Sequence, residues 1–231
     1  MIYLIGDIHG DFFMLKELLK SIPQEATVVQ VGDFGIWPSF APRWKRAQID
    51  RPVYFIDGNH DYIPWLDAES VDPIEIWPNA IYIPRGYVTS FEVDGEPKKF
   101  LFLGGSKSVD RKFRIHQSTD HGWFDEEQLT PEQADSAIAK GPVDYMVTHT
   151  PPAPFTRQTL GLDGLRAFDI DPKTWTDESA GLVDYVWQAL GEPQLYCGHI
   201  HRSAIGPKIR SLDINEVLKV GNVDSGVQPV R

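Results

Sequence analysis

The chain has 231 residues, 42% of them hydrophobic, enough for one sizeable core or two small ones. Its 22 Lys and Arg against 33 Asp and Glu give a formal charge of −11, which argues against binding extended duplex nucleic acid, since that needs a basic face. No apolar run approaches a membrane span, no basic-then-apolar leader opens the chain, and Cys197 is the single cysteine, so a cytoplasmic protein with no membrane partner and no internal disulfide is expected.

Residues 2–5 form a short apolar strand that stops at Gly6-Asp7-Ile8-His9-Gly10. Phe12, Leu15, Leu19 and Ile22 then recur at helical spacing, with Asp11 placed to cap the start. A second strand over 27–31 ends in Gly32-Asp33-Phe34-Gly35. Phe40, Trp44 and Ala47 share a helical face, Pro42 suits a first turn, and Arg43, Lys45, Arg46 and Arg51 read as the wet side of that helix. A third strand over 53–56 ends in Asp57-Gly58-Asn59-His60-Asp61. This alternation of strands and helices is the mark of a layered α/β sheet.

The middle differs. Strand-like pieces over 81–83, 87–93 and 99–103, the last two joined by Asp94-Gly95, predict antiparallel pairing and a second sheet. Residues 131–140 read as a helix, and so do 178–190, with an apolar stripe of Leu182, Tyr185, Val186 and Leu190. Strands over 143–148 and 195–197 end in Thr148-His149-Thr150 and Gly198-His199-Ile200-His201. Segments around 209–212 and 217–220 read as closing strands, whereas 151–177 shows little periodicity. With no repeat and no linker, residues 1–231 read as a single domain.

Five strand ends thus present Asp, Asn and His, and they hold five of the seven histidines. Ligand sites gather outside the carboxyl ends of strands in open α/β sheets. Taken singly, each residue has a plainer reading: Asp7 and Asp33 as turn or cap residues, Asn59 as a turn residue with positive φ, His149 as a packing residue. Taken together they offer oxygen and nitrogen donors for Mn²⁺, Fe or Zn²⁺, too many for one closed structural site. A two-metal site is the economical reading. Bound cations would also reverse the local sign of the acidic chain, leaving anionic substrates open.

These motifs resemble the calcineurin-like metallophosphoesterase superfamily, whose pattern is D-x-H, G-D, G-N-H-D/E, a lone H and G-H-x-H. Here it stands as Asp7-Ile8-His9, Gly32-Asp33, Gly58-Asn59-His60-Asp61, His149 and Gly198-His199-Ile200-His201. The resemblance implies a four-layer α/β fold, two mixed β-sheets flanked by helices. It implies two divalent ions (Mn first; Fe, Zn or Ni also suitable), one held by Asp7, His9 and His201, the other by Asn59, His149 and His199, with Asp33 bridging. A metal-bridging hydroxide would attack phosphorus in line, and His60 would face the phosphate and protonate the leaving oxygen.

The Ser/Thr protein-phosphatase branch extends its second motif to Asp-Arg-Gly, where this chain has Gly32-Asp33-Phe34-Gly35-Ile36-Trp37. It lacks both the Arg that grips a phosphoryl group and the Asp that orients the histidine. Asp57 and Asp61 are the nearest candidates in sequence to orient His60, and Asp61 is assigned to the catalytic pair with it. The locally basic stretch 104–114 offers Arg111 or Arg114 as a replacement grip on substrate phosphate, with a solvated turn the plainer reading for Lys107 and Lys112. His116 and His121 read as rim residues. Trp123 and Phe124 read as anchors of the following helix, or as a base-stacking pair. The expected activity is hydrolysis of a small phosphate mono- or diester. The alternatives are a cyclic-nucleotide phosphodiesterase or nuclease and, from another class, a catalytically silent binding scaffold.

Overall fold

A computed structural model of the protein describes residues 1–66, 70–117, 121–160, 163–166, 170–171 and 175–221. Alternation along the first strand sets up the layering. β1 (Ile2–Ile5) turns Ile2 and Leu4 into one core and Tyr3 and Ile5 into another, because successive strand side chains point to opposite faces. On the Ile5 side, α1 (Phe12–Leu19) buries Phe12, Leu15 and Leu19, and the Asp11 carboxylate accepts the Met14 N–H at 3.0 Å as the predicted cap. β2 (Thr27–Gln30) follows, then α2 (Ala41–Ala47), which buries Trp44 and Ala47 in the same core. β3 (Val53–Phe55), β4 (Ile74–Trp77) and β5 (Ala80–Tyr82) extend this sheet.

The Asp94-Gly95 turn, both residues at positive φ, joins β6 (Tyr87–Val93) to β7 (Glu96–Leu103) in an antiparallel hairpin. The chain continues through α3 (Arg111–Arg114), α4 (Pro131–Ile138), β8 (Tyr145–Thr148), α5 (Ala153–Leu160), α6 (Asp163–Arg166), α7 (Glu178–Ala189), β9 (Gln194–Cys197), β10 (Ala204–Ile205) and β11 (Ile209–Ser211). It returns to the first sheet as β12 (Val217–Lys219), antiparallel to β1. One sheet runs β12-β1-β2-β3-β5-β4 and the other β10-β11-β9-β8-β7-β6.

Ile2, Leu4, Val29 and Val31 from the first sheet meet Phe100, Phe102, Val147 and Tyr196 from the second in a core between the sheets. Outside the second sheet, Leu101, Met146 and Leu195 pack on Ala134 and Ala137 of α4 and Val183 and Val186 of α7. The result is the expected four-layer sandwich of two mixed sheets flanked by helices.

Four details differ from the sequence reading. The strand near residue 81 has the expected antiparallel partner, β4, but lies in the first sheet rather than the second, inserted between β4 and β3, to which it is parallel. The buried face of α7 is Ser179, Ala180, Val183 and Val186, while Tyr185 is half exposed; small side chains let the helix lie close against its neighbours. Arg51 is buried and donates to the carbonyls of Ile22 and Ala26 rather than lying on a wet face. The aperiodic stretch 151–177 contains α5 and α6, with its residues 161–162, 167–169 and 172–174 outside the described set. Among the described residues, no helix is long and apolar enough to cross a membrane.

Candidate metal centre

The loops after β1 and β2 are tied together before any side chain is placed. The N–H groups of Ile8 and His9 both donate to the Asp33 carbonyl, at 3.3 and 2.8 Å, and Gly10 N–H donates to the Phe34 carbonyl at 3.0 Å. His9, Asp33, His199 and His201 all sit at positive φ, between 45° and 65°, which L-residues adopt rarely and mostly where surrounding structure enforces it. Two glycines clear the space between the sheets. A Cβ on Gly32 would collide with the His149 ring, and one on Gly58 would press between Asp33 and His149.

Two groups of donors result. Single ligand atoms of Asp7, His9, Asp33 and His201 lie within 4.8 Å of one another, and so do those of Asp33, His149 and His199. Asp33 belongs to both. In the first group, His201 Nε2 is 3.1 Å from Asp7 Oδ2 and 2.9 Å from His9 Nε2. Asp7 is fully buried and accepts the His199 N–H at 3.1–3.2 Å, which fixes its carboxylate. In the second, His149 donates from Nδ1 to the Val31 carbonyl at 2.9 Å, and its Nε2 lies 3.4 Å from Asp33 Oδ1. That Nε2 is buried and has no hydrogen-bond partner. A carbonyl behind an imidazole is how proteins orient a histidine for a metal. Asn59, also buried, joins through Ser106, whose hydroxyl donates to Asn59 Oδ1 at 2.6 Å and lies 3.4 Å from His199 Nδ1.

The electrostatics follow from burial and proximity. Burial raises the Asp33 carboxyl, but His149 and the other imidazoles outweigh it and hold Asp33 well below the usual carboxylate range. Burial lowers His149, and the Asp33 carboxylate reverses this and raises it. For His199, burial and then the His149 charge outweigh the pull of Asp33 and push it down to about 3, which keeps it neutral and free to ligate. The donor set fits divalent cations: two carboxylates and four imidazoles, with no thiolate.

His60 is anchored through its backbone. Its N–H donates to Asp33 Oδ1 at 2.7 Å, and its carbonyl accepts from Trp37 Nε1 at 2.8 Å. Its ring meets His9 edge-on, with centroids 5.3 Å apart. Asp61 does not face it. The two Asp61 oxygens accept four backbone N–H groups, from Phe34, Gly35, Ile36 and Gly58, so this carboxylate staples the loops after β2 and β3. Asp57 is likewise engaged, with Arg85 at 2.6 Å and Tyr82 at 3.0 Å.

The basic stretch behaves differently from the expectation. Arg114 is buried and donates to Ser108 Oγ and to the carbonyls of Asn59, Gly122 and His121, with Glu127 at 3.1 Å. It braces the Asn59 loop from beneath and has no face left for substrate phosphate. Arg111 is exposed and stacks on Trp123 at 4.1 Å. Lys107 is tied to Glu178 and to the Thr176 carbonyl, and His116 is exposed. Phe124 packs on Trp37 and Tyr62, so it anchors the first sheet's outer layer. Asp110 went unnoticed in sequence: its Oδ2 lies 3.6 Å from His60 Nε2.

The model of the calcineurin-like phosphoesterase family matches residues 1–203, and the chain belongs to that family. No curated protein matches it in sequence. Among solved structures, it is similar to a hypothetical protein from Thermus thermophilus, at 15% identity and a TM-score of 0.38, over 92% of this chain and 75% of that one. It is also similar to a Staphylococcus aureus protein provisionally assigned as a 5'-nucleotidase and solved with alpha-ketoglutarate, at 12% identity and a TM-score of 0.47, over 94% of this chain and 49% of that one. This chain therefore spans about half the length of the second.

Proposed function

We propose that the chain hydrolyses a small phosphate ester with two divalent cations, in one domain over residues 1–231. Asp7, His9 and His201 would hold one ion, Asn59, His149 and His199 would hold the other, and Asp33, which belongs to both donor groups, would serve both. The observation that carries this reading is that buried Asp33 belongs to both donor groups and faces the buried Nε2 of His149, which has no hydrogen-bond partner. When bound, such cations would lower the pKa of water and offset negative charge on a phosphate ester. The chain's own residues do the rest. The His199 N–H fixes Asp7, the Val31 carbonyl fixes His149, and Ser106 fixes Asn59. His60 stands beside this cluster and gives its imidazole proton to the departing oxygen. Of the two arginines in the 104–114 stretch, Arg111 is the exposed one and is assigned to touch the substrate. Manganese is the first cation to try, and Fe, Zn or Ni suit the same donors.

The test is hydrolysis of a chromogenic phosphate monoester and diester, side by side, with Mn²⁺. Monoester turnover supports a phosphatase, and diester-dominated turnover moves the reading to a cyclic-nucleotide phosphodiesterase or nuclease. Neither, with metal bound, moves it to a scaffold. His60→Ala is expected to keep its metal and lose about 10²–10⁴-fold in kcat. Unchanged turnover in that variant removes the role given to His60.

A further inference from the structure

His60 has a well-fixed backbone, held at its N–H by Asp33 and at its carbonyl by Trp37. Nothing in those bonds sets the rotation of its ring. Among the described residues, the carboxylate at ion-pair distance from the ring is Asp110, with Oδ2 3.6 Å from Nε2. Asp110 comes from the turn after β7, far from the Asn59-His60 loop in sequence, and it immediately precedes α3.

The surroundings of Asp110 show a carboxylate held in reserve. Its Oδ1 is buried without a hydrogen-bond partner, and Arg114 Nη1 approaches that atom only to 3.6 Å. Arg114 is held in place, because Ser108, Asn59, Gly122 and His121 take four of its five N–H groups and Glu127 pairs with its charge. Buried unsatisfied acceptors are rare and call for a cause. A carboxylate kept near an imidazole at slightly more than hydrogen-bond distance, and ready to tighten once substrate seats the ring, supplies one.

We propose that Asp110 is the positioning residue for His60: its carboxylate fixes the direction of the imidazole, and the buried Arg114, 3.6 Å from Asp110 Oδ1, holds that carboxylate by charge. The same Arg114 guanidinium holds the Asn59 carbonyl, so one side chain sets both the metal-ligand loop and the partner of the proton donor. This inference rests on the role of His60 given above.

The test combines Asp110→Asn and Asp110→Glu with His60→Ala in the full chain. Asp110→Asn is expected to keep its metal content and melting temperature, with KM little moved. Its kcat should fall about 10- to 100-fold on an alkyl phosphate, whose leaving oxygen needs a proton, and by less than about 3-fold on p-nitrophenyl phosphate, which departs without one. Asp110→Glu should restore part of the loss. In the His60→Ala background, Asp110→Asn should add almost nothing, because the two act as one unit. Loss of metal, equal loss on both esters, or full additivity with His60→Ala would each overturn the proposal. A readout independent of turnover is the His60 ring-nitrogen chemical shifts in the metal-free protein, which should move in Asp110→Asn; unmoved shifts overturn it. If the wild-type chain hydrolyses neither ester, the proposed reaction falls, and the ring shifts still decide the Asp110–His60 contact.

Discussion

The Asp33 carboxylate and the His149 imidazole face each other at 3.4 Å across the seam between the two sheets, both completely enclosed. β2 delivers one and β8 the other. Each alone would be costly there, since burial disfavours a charge with no partner. Together they form a polar pair between the sheets whose donor atoms could hold a cation.

Cations that bind only the folded chain should stabilise it. At about 100 times the dissociation constant the gain is about 2.7 kcal/mol, or roughly 5–10 °C in Tm for a chain of this size. Scanning calorimetry of chelator-treated protein, with and without Mn²⁺, reads this directly. His149→Ala should show a smaller rise, and its metal content should fall towards one ion per chain. The absence of any rise in wild type would remove the metal centre.

Arg114 and Arg111 should separate cleanly. Arg114→Ala leaves Glu127 buried without its cation and frees the Asn59 carbonyl, at a cost of about 3–5 kcal/mol in denaturant unfolding. Arg111→Ala loses one exposed cation–π contact with Trp123, at a cost below about 1 kcal/mol. If Arg111 touches substrate, its variant raises KM and leaves kcat nearly unchanged. A cost below about 1 kcal/mol for Arg114→Ala would contradict the bracing role.

Glu127 should leave a signature in the pH dependence of stability. Burial raises its carboxyl to about 7 from an ordinary 4.5, against the pull of Arg114 and Ser108. Between those values the folded chain keeps a proton that the unfolded chain has released. Its contribution to stability therefore falls as pH rises through that window and levels off above it. Glu127→Gln has no such proton to lose. Urea unfolding at several pH values between about 5 and 8 should show the variant gaining on wild type as pH rises; parallel curves would refute this.

The strand ends were readable because β1, β2, β3, β8 and β9 are apolar runs that stop abruptly at Asp, Asn or His. Alternation along β1 and the cap at Asp11 also carried over directly into structure. What could not be read was which of the remaining charges are buried. Arg114 and Arg111 lie in one short basic stretch, yet one is enclosed by carbonyls from separate parts of the chain and the other lies in the open. Those carbonyls are backbone groups, and nothing in their side chains announces them. Asp110 was hidden for a related reason: its nearness to His60 comes from a turn on the second sheet reaching a loop on the first. Parallel pairing of β5 with β3 is equally non-local.

The way the donors divide along the chain has its own consequence for assembly. Asp7, His9 and Asp33 lie before the β5–β6 connection, and His149, His199 and His201 lie after it. A cut at that connection gives two fragments, each with an incomplete share of both groups. Neither fragment alone carries all the donors of either group. Cation capture by a mixture of the two fragments, and by neither alone, would therefore serve as a complementation signal.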